Sequence, residues 1–127
     1  MTEANDGGAL LALVTEIRVL GAMIDGLPAP EVAPPAIAED LTVIAMQTRN
    51  ALATLERLQE LVPRGPSAEL DALLHRMNNH FTGVASLATL CRDDVRGAPD
   101  LSARLAEVEQ QARRAADCVR ALARSRS

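Results

Sequence analysis

The residues of this chain whose types suit chemistry are crowded into one short stretch, His75-Arg76-Met77-Asn78-Asn79-His80, followed by Thr82. The chain has 2 histidines and both lie here. An imidazole is a nucleophile and proton carrier near neutral pH. The amide and hydroxyl side chains beside it can orient a water molecule or an anionic group. Histidine, asparagine and threonine are poor choices where helix stability is the only demand. The stretch is therefore the place where the chain gives up helix propensity for other ends.

The element that carries these residues is a helix over 67–96, about eight turns long. Leu70, Leu74, Met77, Phe81, Val84, Ala88, Cys91 and Val95 recur in alternating steps of 4 and 3, an uninterrupted a/d seam. With Leu74 and Phe81 at a positions, His75 and Thr82 fall at b, Asn78 at e, Asn79 at f and His80 at g. His75, Asn79 and Thr82 then share one face that points away from the seam. His80 lies on the seam's flank, where a partly buried packing role suits it. An exposed imidazole on a helix held rigidly by its own core is a good platform for a nucleophile.

Leu74-His75-Arg76-Met77-Asn78-Asn79-His80-Phe81-Thr82-Gly83-Val84 resembles the dimerisation and phosphoacceptor helix of bacterial sensor histidine kinases. The resemblance is to the subgroup that reads His-x-x-Asn-Asn-x-x-Thr, and it covers about residues 67–124. It implies that His75 is the phosphoacceptor, that Asn79 and Thr82 assist at the catalytic site, and that Arg76 and Asn78 face a partner. In an antiparallel hairpin Arg120 and Arg124 should lie within a turn or so of the His75 level and face that partner too. The implied partner is a response-regulator receiver domain or a sensor kinase. The receiver would supply Mg²⁺, so no cofactor is expected on this chain. Two departures shape the reading. Arg76 stands where the family has an acidic residue, and these 127 residues leave no room for an ATP-binding domain, so ATP-dependent kinase activity is not expected. The expectation is a histidine phosphotransfer protein of a phosphorelay. The alternatives are a non-enzymatic regulator that binds a kinase or receiver through the same face, and a receiver phosphatase in which Asn79 or Thr82 orients a water. The family's hairpin dimerises, so a homodimer is implied, although the chain's own earlier helices could complete a bundle instead.

The other segments read as scaffold. A helix over 9–25 carries Leu10, Leu13, Ile17, Leu20 and Ile24 on one stripe and is stopped by Gly26 and Pro28. Residues 27–35 form a stiff Pro-rich linker, and Pro35 suits the first position of the next helix. That helix, over 36–62, has the seam Ile37, Leu41, Ile44, Thr48, Ala51, Leu55, Leu58 and Val62. Pro63 and Pro66 break it, Ser67 caps the next helix, and Gly97-Ala98-Pro99-Asp100 is a tight turn. A last helix over 101–123 carries Leu101, Leu105, Val108, Ala112, Ala115, Val119 and Leu122. The fold class is all-α, a bundle of four amphipathic helices. A pair over 9–66 and a hairpin over 67–127 form one compact unit behind a disordered leader of residues 1–8.

Composition narrows the function. Phe81 is the one aromatic residue, so the core must be aliphatic. The net charge of −4 argues against a general nucleic-acid binder. Its distribution is uneven: residues 1–66 hold 9 acidic and 4 basic side chains, whereas 67–127 hold 8 and 9. The last fifteen residues concentrate Arg113, Arg114, Arg120, Arg124 and Arg126. Cys91 and Cys118 lack zinc spacing and sit too far apart along an antiparallel hairpin to pair, so they read as reduced thiols of a cytoplasmic protein. The start is acidic, unlike a signal peptide, and the apolar run over 9–24 is interrupted by Glu16 and Arg18. No membrane span is expected.

Overall fold

Proline and glycine punctuate the chain where its hydrophobic stripes end, and the helices follow that punctuation. The computed structural model describes residues 2–125, with side-chain surroundings from Gly7 onward. Four helices account for it: α1 (Thr2–Asp25), α2 (Pro35–Leu61), α3 (Ala68–Asp94) and α4 (Pro99–Ser125). A 3₁₀ turn over Val62–Arg64 tightens the end of α2, and no strand occurs among the described residues. The fold is an all-α four-helix bundle.

Each boundary has a local cause. Pro35 opens α2 at its first position, where a missing N–H costs nothing. The Ser67 hydroxyl accepts a hydrogen bond from Leu70 N at 3.0 Å and caps α3, with Glu69 and Asp71 in the first turn. The Ala98 N–H donates to the Val95 carbonyl at 2.8 Å and closes the turn into α4. The main departure from expectation is at the start. Helix α1 begins at Thr2 rather than at residue 9, so the leader expected to be disordered is helical from Thr2. That leader contains no proline, and a helix already nucleated on a core-facing stripe extends until something stops it. Met1, Arg126 and Ser127 lie outside the described residues. With the longer helix, Gly7–Asp25 is long and apolar enough to cross a membrane by length and composition, at a mean hydropathy of 1.7, contrary to expectation. In this fold its Leu13, Val14, Ile17 and Leu20 are buried in the bundle.

Every seam residue of α2 and α3 is buried, and so are those of α4 apart from half-buried Leu101. Phe81, fully buried, sits in an otherwise aliphatic core. The buried stripe is wider than a bare a/d seam, because each helix has two neighbours. Leu73 and Ala85, on opposite flanks of the α3 seam, are both buried. Adjacent helices pack in the order α1–α2–α3–α4, and α1 closes the ring against α4. Polar contacts join three of these four pairs. Arg57 Nε meets Glu69 Oε2 at 2.7 Å between α2 and α3. Thr89 donates to Glu109 at 2.6 Å between α3 and α4. Buried Gln111 donates from α4 to the Glu16 carbonyl at 2.9 Å and to its carboxylate at 2.5 Å. All three pairs run antiparallel. The four helices that two hairpins from two chains would supply are here supplied by one chain.

Two glycines test this account. Gly65 holds φ at 93°, a backbone region that is strained for any other residue. Gly83 lies inside α3, where an added Cβ meets nothing within 4 Å. Gly83→Ala should stabilise the fold by about 0.5–1 kcal/mol through helix propensity. Gly65→Ala should destabilise it by about 1–3 kcal/mol. Urea unfolding followed by circular dichroism measures both, and equal midpoints for the two variants would contradict the assignment.

Candidate functional site

Helix α3 presents its polar residues in two groups, divided by the buried seam. Leu74 and Met77 bracket His75 and are 3% and 0% exposed, so the backbone under the imidazole is anchored while His75 itself is exposed. Asn79 and Thr82 are exposed on the same face. The Thr82 hydroxyl turns back onto the helix, 3.0 Å from the Asn78 carbonyl and 3.2 Å from that of Asn79. Its proton is thereby spent and its lone pairs remain to accept.

On the side of this line nearer α4, Asn78 is half-buried and accepts a hydrogen bond from Arg120 Nη1 at 3.1 Å. The same guanidinium pairs with Asp117 through Nη2. The Asn78–Arg120 and Thr89–Glu109 contacts place residue 123 opposite His75, so Arg120 and Arg124 flank its level on α4. Further along, Thr82, Ala85, Ser86, Arg113, Ala116, Asp117 and Arg120 line an open depression of ≈ 250 Å³ between the two helices. Buried Ala85 and Ala116 form its floor, and the charged side chains form its α4 wall. Glu109, beyond the depression, is held below the usual carboxylate range first by the Thr89 hydroxyl and then by Arg92 and Arg113.

The second group faces α2. His80 is half-buried and its Nδ1 lies against Gln47 Oε1. With the amide oxygen as acceptor, the neutral ring carries its proton at Nδ1. Burial, followed by the positive charge of Arg76, pushes the His80 pKa down. The two histidines therefore do different work: His75 is open to solvent and His80 packs between helices.

Of the residues singled out from the sequence, His75, Asn79 and Thr82 share one exposed face, and Asn78 and Arg120 are joined by a hydrogen bond. Arg76 is exposed beside His75, and its charge acts on His80. Asp117, Ser86 and Gln47 were not singled out, and Arg113 only as one of the arginines concentrated in the last fifteen residues. Asp117 stands three residues before Arg120, a spacing that puts the two on one helix face and was available as a signal. Gln47 gave none, since only the packing of α2 on α3 brings it to His80. The cysteines are unpaired: Cys91 is buried, its thiol pushed up to about 12 by burial and then by Asp40, and Cys118 is half-buried and also raised. Among the described residues no cluster of His, Cys, Asp and Glu could hold a metal ion. No protein-family model, no curated protein and no solved structure matches the chain.

The setting of His80 can be tested by titration. His80 is depressed in the folded state, so its neutral form is favoured there and protonation favours unfolding. Its contribution to stability is full above the ordinary histidine pKa and is lost as pH falls below about 6.5. Stability should therefore fall between pH 7.5 and 5.5, and that part of the slope should vanish in His80→Gln. Chemical denaturation at a series of pH values measures it. An unchanged slope in the variant would remove His80 from the account.

Proposed function

We propose that this chain is a histidine phosphotransfer protein that exchanges a phosphoryl group with receiver domains through His75. The observation that carries the reading is the setting of His75. It is an exposed imidazole one position off the buried seam of a long, packed helix, with Asn79 and Thr82 on the same open face. A phosphotransfer protein has little to build beyond this, because the receiver brings the metal ion and the groups that polarise the phosphorus. A nitrogen of His75 attacks the aspartyl phosphate, the N–P bond forms, the P–O bond breaks, and the aspartate leaves as a carboxylate. The return step reverses these events at a second receiver. Arg76 occupies the place of an acidic residue in the kinases that the helix resembles. A base there would serve attack on ATP, so the reading assigns the phosphoryl group to receivers as its source.

The same residue favours a second reading. A helical bundle that binds a receiver or kinase without accepting phosphate needs the α3–α4 face and no base, and Arg76 fits such a role equally well. A receiver phosphatase is the third reading: Asn79 stands on the open face beside His75, and the Thr82 oxygen keeps lone pairs that can accept from a water.

Incubation with a panel of phosphorylated receivers separates these readings. The parent protein should acquire an acid-labile, base-stable label, and His75→Gln should acquire none while losing under about 0.5 kcal/mol of stability. His80→Gln should keep most of the uptake. Tight binding to one receiver with no label on the parent would replace transfer by the regulator reading. Release of free phosphate without label would point to the phosphatase.

A further inference from the structure

The geometry points to Arg120 as a phosphoryl clamp, an arginine parked on Asn78 and Asp117 in the unmodified protein that turns onto the phosphoryl oxygens once His75 is phosphorylated. The inference rests on His75 as phosphoacceptor and adds the residue of α4 that would read the modified state. Three observations carry it. Arg120 Nη1 is fixed 3.1 Å from Asn78 Oδ1. Asn78 lies three residues from His75 on one helix, so their Cβ atoms are about 5–6 Å apart. The guanidinium therefore already sits about one helical turn from the imidazole. Second, its present partner is a weak competitor. The Arg120 and Asp117 side chains are 46% and 71% exposed, and exposed ion pairs spaced three residues apart contribute little. Third, a phosphoryl group offers more: close to two negative charges and a set of oxygens that a planar guanidinium binds bidentately. Arg76 is exposed next to His75 in the chain, and Arg124 is exposed on α4 near the same level.

The exchange would couple modification to packing. Arg120 belongs to α4 and His75 to α3, so the clamped form ties the two helices together through the phosphoryl group. It would also release Asp117, which lines the neighbouring depression, and change the charge a partner meets there.

The test needs no receiver. Phosphoramidate transfers its phosphoryl group to exposed imidazoles: the new N–P bond forms at the ring, the donor's P–N bond breaks, and ammonia leaves with the displaced proton. The ³¹P signal of phosphorylated His75 is assigned by its loss in His75→Gln. It is then titrated around neutral pH, where the acid-labile label survives, through protonation of the phosphorylated ring. A guanidinium in contact with the phosphoryl oxygens disfavours a second positive charge on the ring that carries them. The midpoint in the parent should therefore lie about half a pH unit below that in Arg120→Gln. Asp117→Asn should lower it further, because the competitor is gone, and Arg120→Lys should keep part of the shift. A role for Arg120 in helix packing alone would not move this midpoint. Equal midpoints in the parent and Arg120→Gln, or no His75 signal at all, would overturn the clamp. A shifted midpoint in a protein that takes no phosphate from receivers would uphold the clamp and remove the relay.

Discussion

Burial of the α3 seam is the constraint on which the rest of this protein depends. The chain has almost no aromatic surface to bury, so stability comes from many aliphatic contacts of modest size. Such a core works only if every helix turns an unbroken stripe inward, and α3 does so from Leu70 to Cys91. With two neighbours, the helix must also surrender part of each flank. Leu73 goes to one side and Ala85 to the other. What remains for function is a narrow strip of b and f positions, and that strip carries His75, Asn79, Thr82 and Ser86.

This arrangement separates stability from chemistry. Residues that hold α3 in place are apolar and buried, and the exposed polar residues of its open face contribute little to the fold. Charged contacts across the helix pairs act differently. Arg57 with Glu69 and Thr89 with Glu109 join helices that hydrophobic packing alone would allow to slide. Buried Gln111 is the most demanding of them, since its amide must find partners away from water, and it finds both on Glu16 of α1. These contacts specify register more than they add stability.

The two histidines show how position on one helix decides role. They are five residues apart, and so fall on different sides of the seam. His80 is drawn against α2, where burial and a neighbouring arginine disfavour its charged form. His75 stays in water, above a backbone anchored by buried Leu74 and Met77. The proposed phosphotransfer would gain from the second setting, because accessibility and a fixed approach geometry are both supplied before a receiver arrives.

Much of this was legible in the sequence, because heptad spacing is a local property. Alternating steps of 4 and 3 mark the buried face of each helix, and proline, glycine and serine mark its ends. The seam residues of α2 and α3 are buried without exception. The outward face of His75 follows from the same count, as does the flank position of His80. Other features depend on which helices become neighbours, and a one-dimensional period carries no such information. Tertiary packing decided that α1 and α2 complete the bundle within one chain, that Gln47 meets His80, and that Arg120 is held by Asn78 and Asp117. It also decided that α1 runs from Thr2, since a helix anchored on a core continues through residues that would not form one alone. Periodicity tells each helix which side to bury, and only the packed bundle tells it against what.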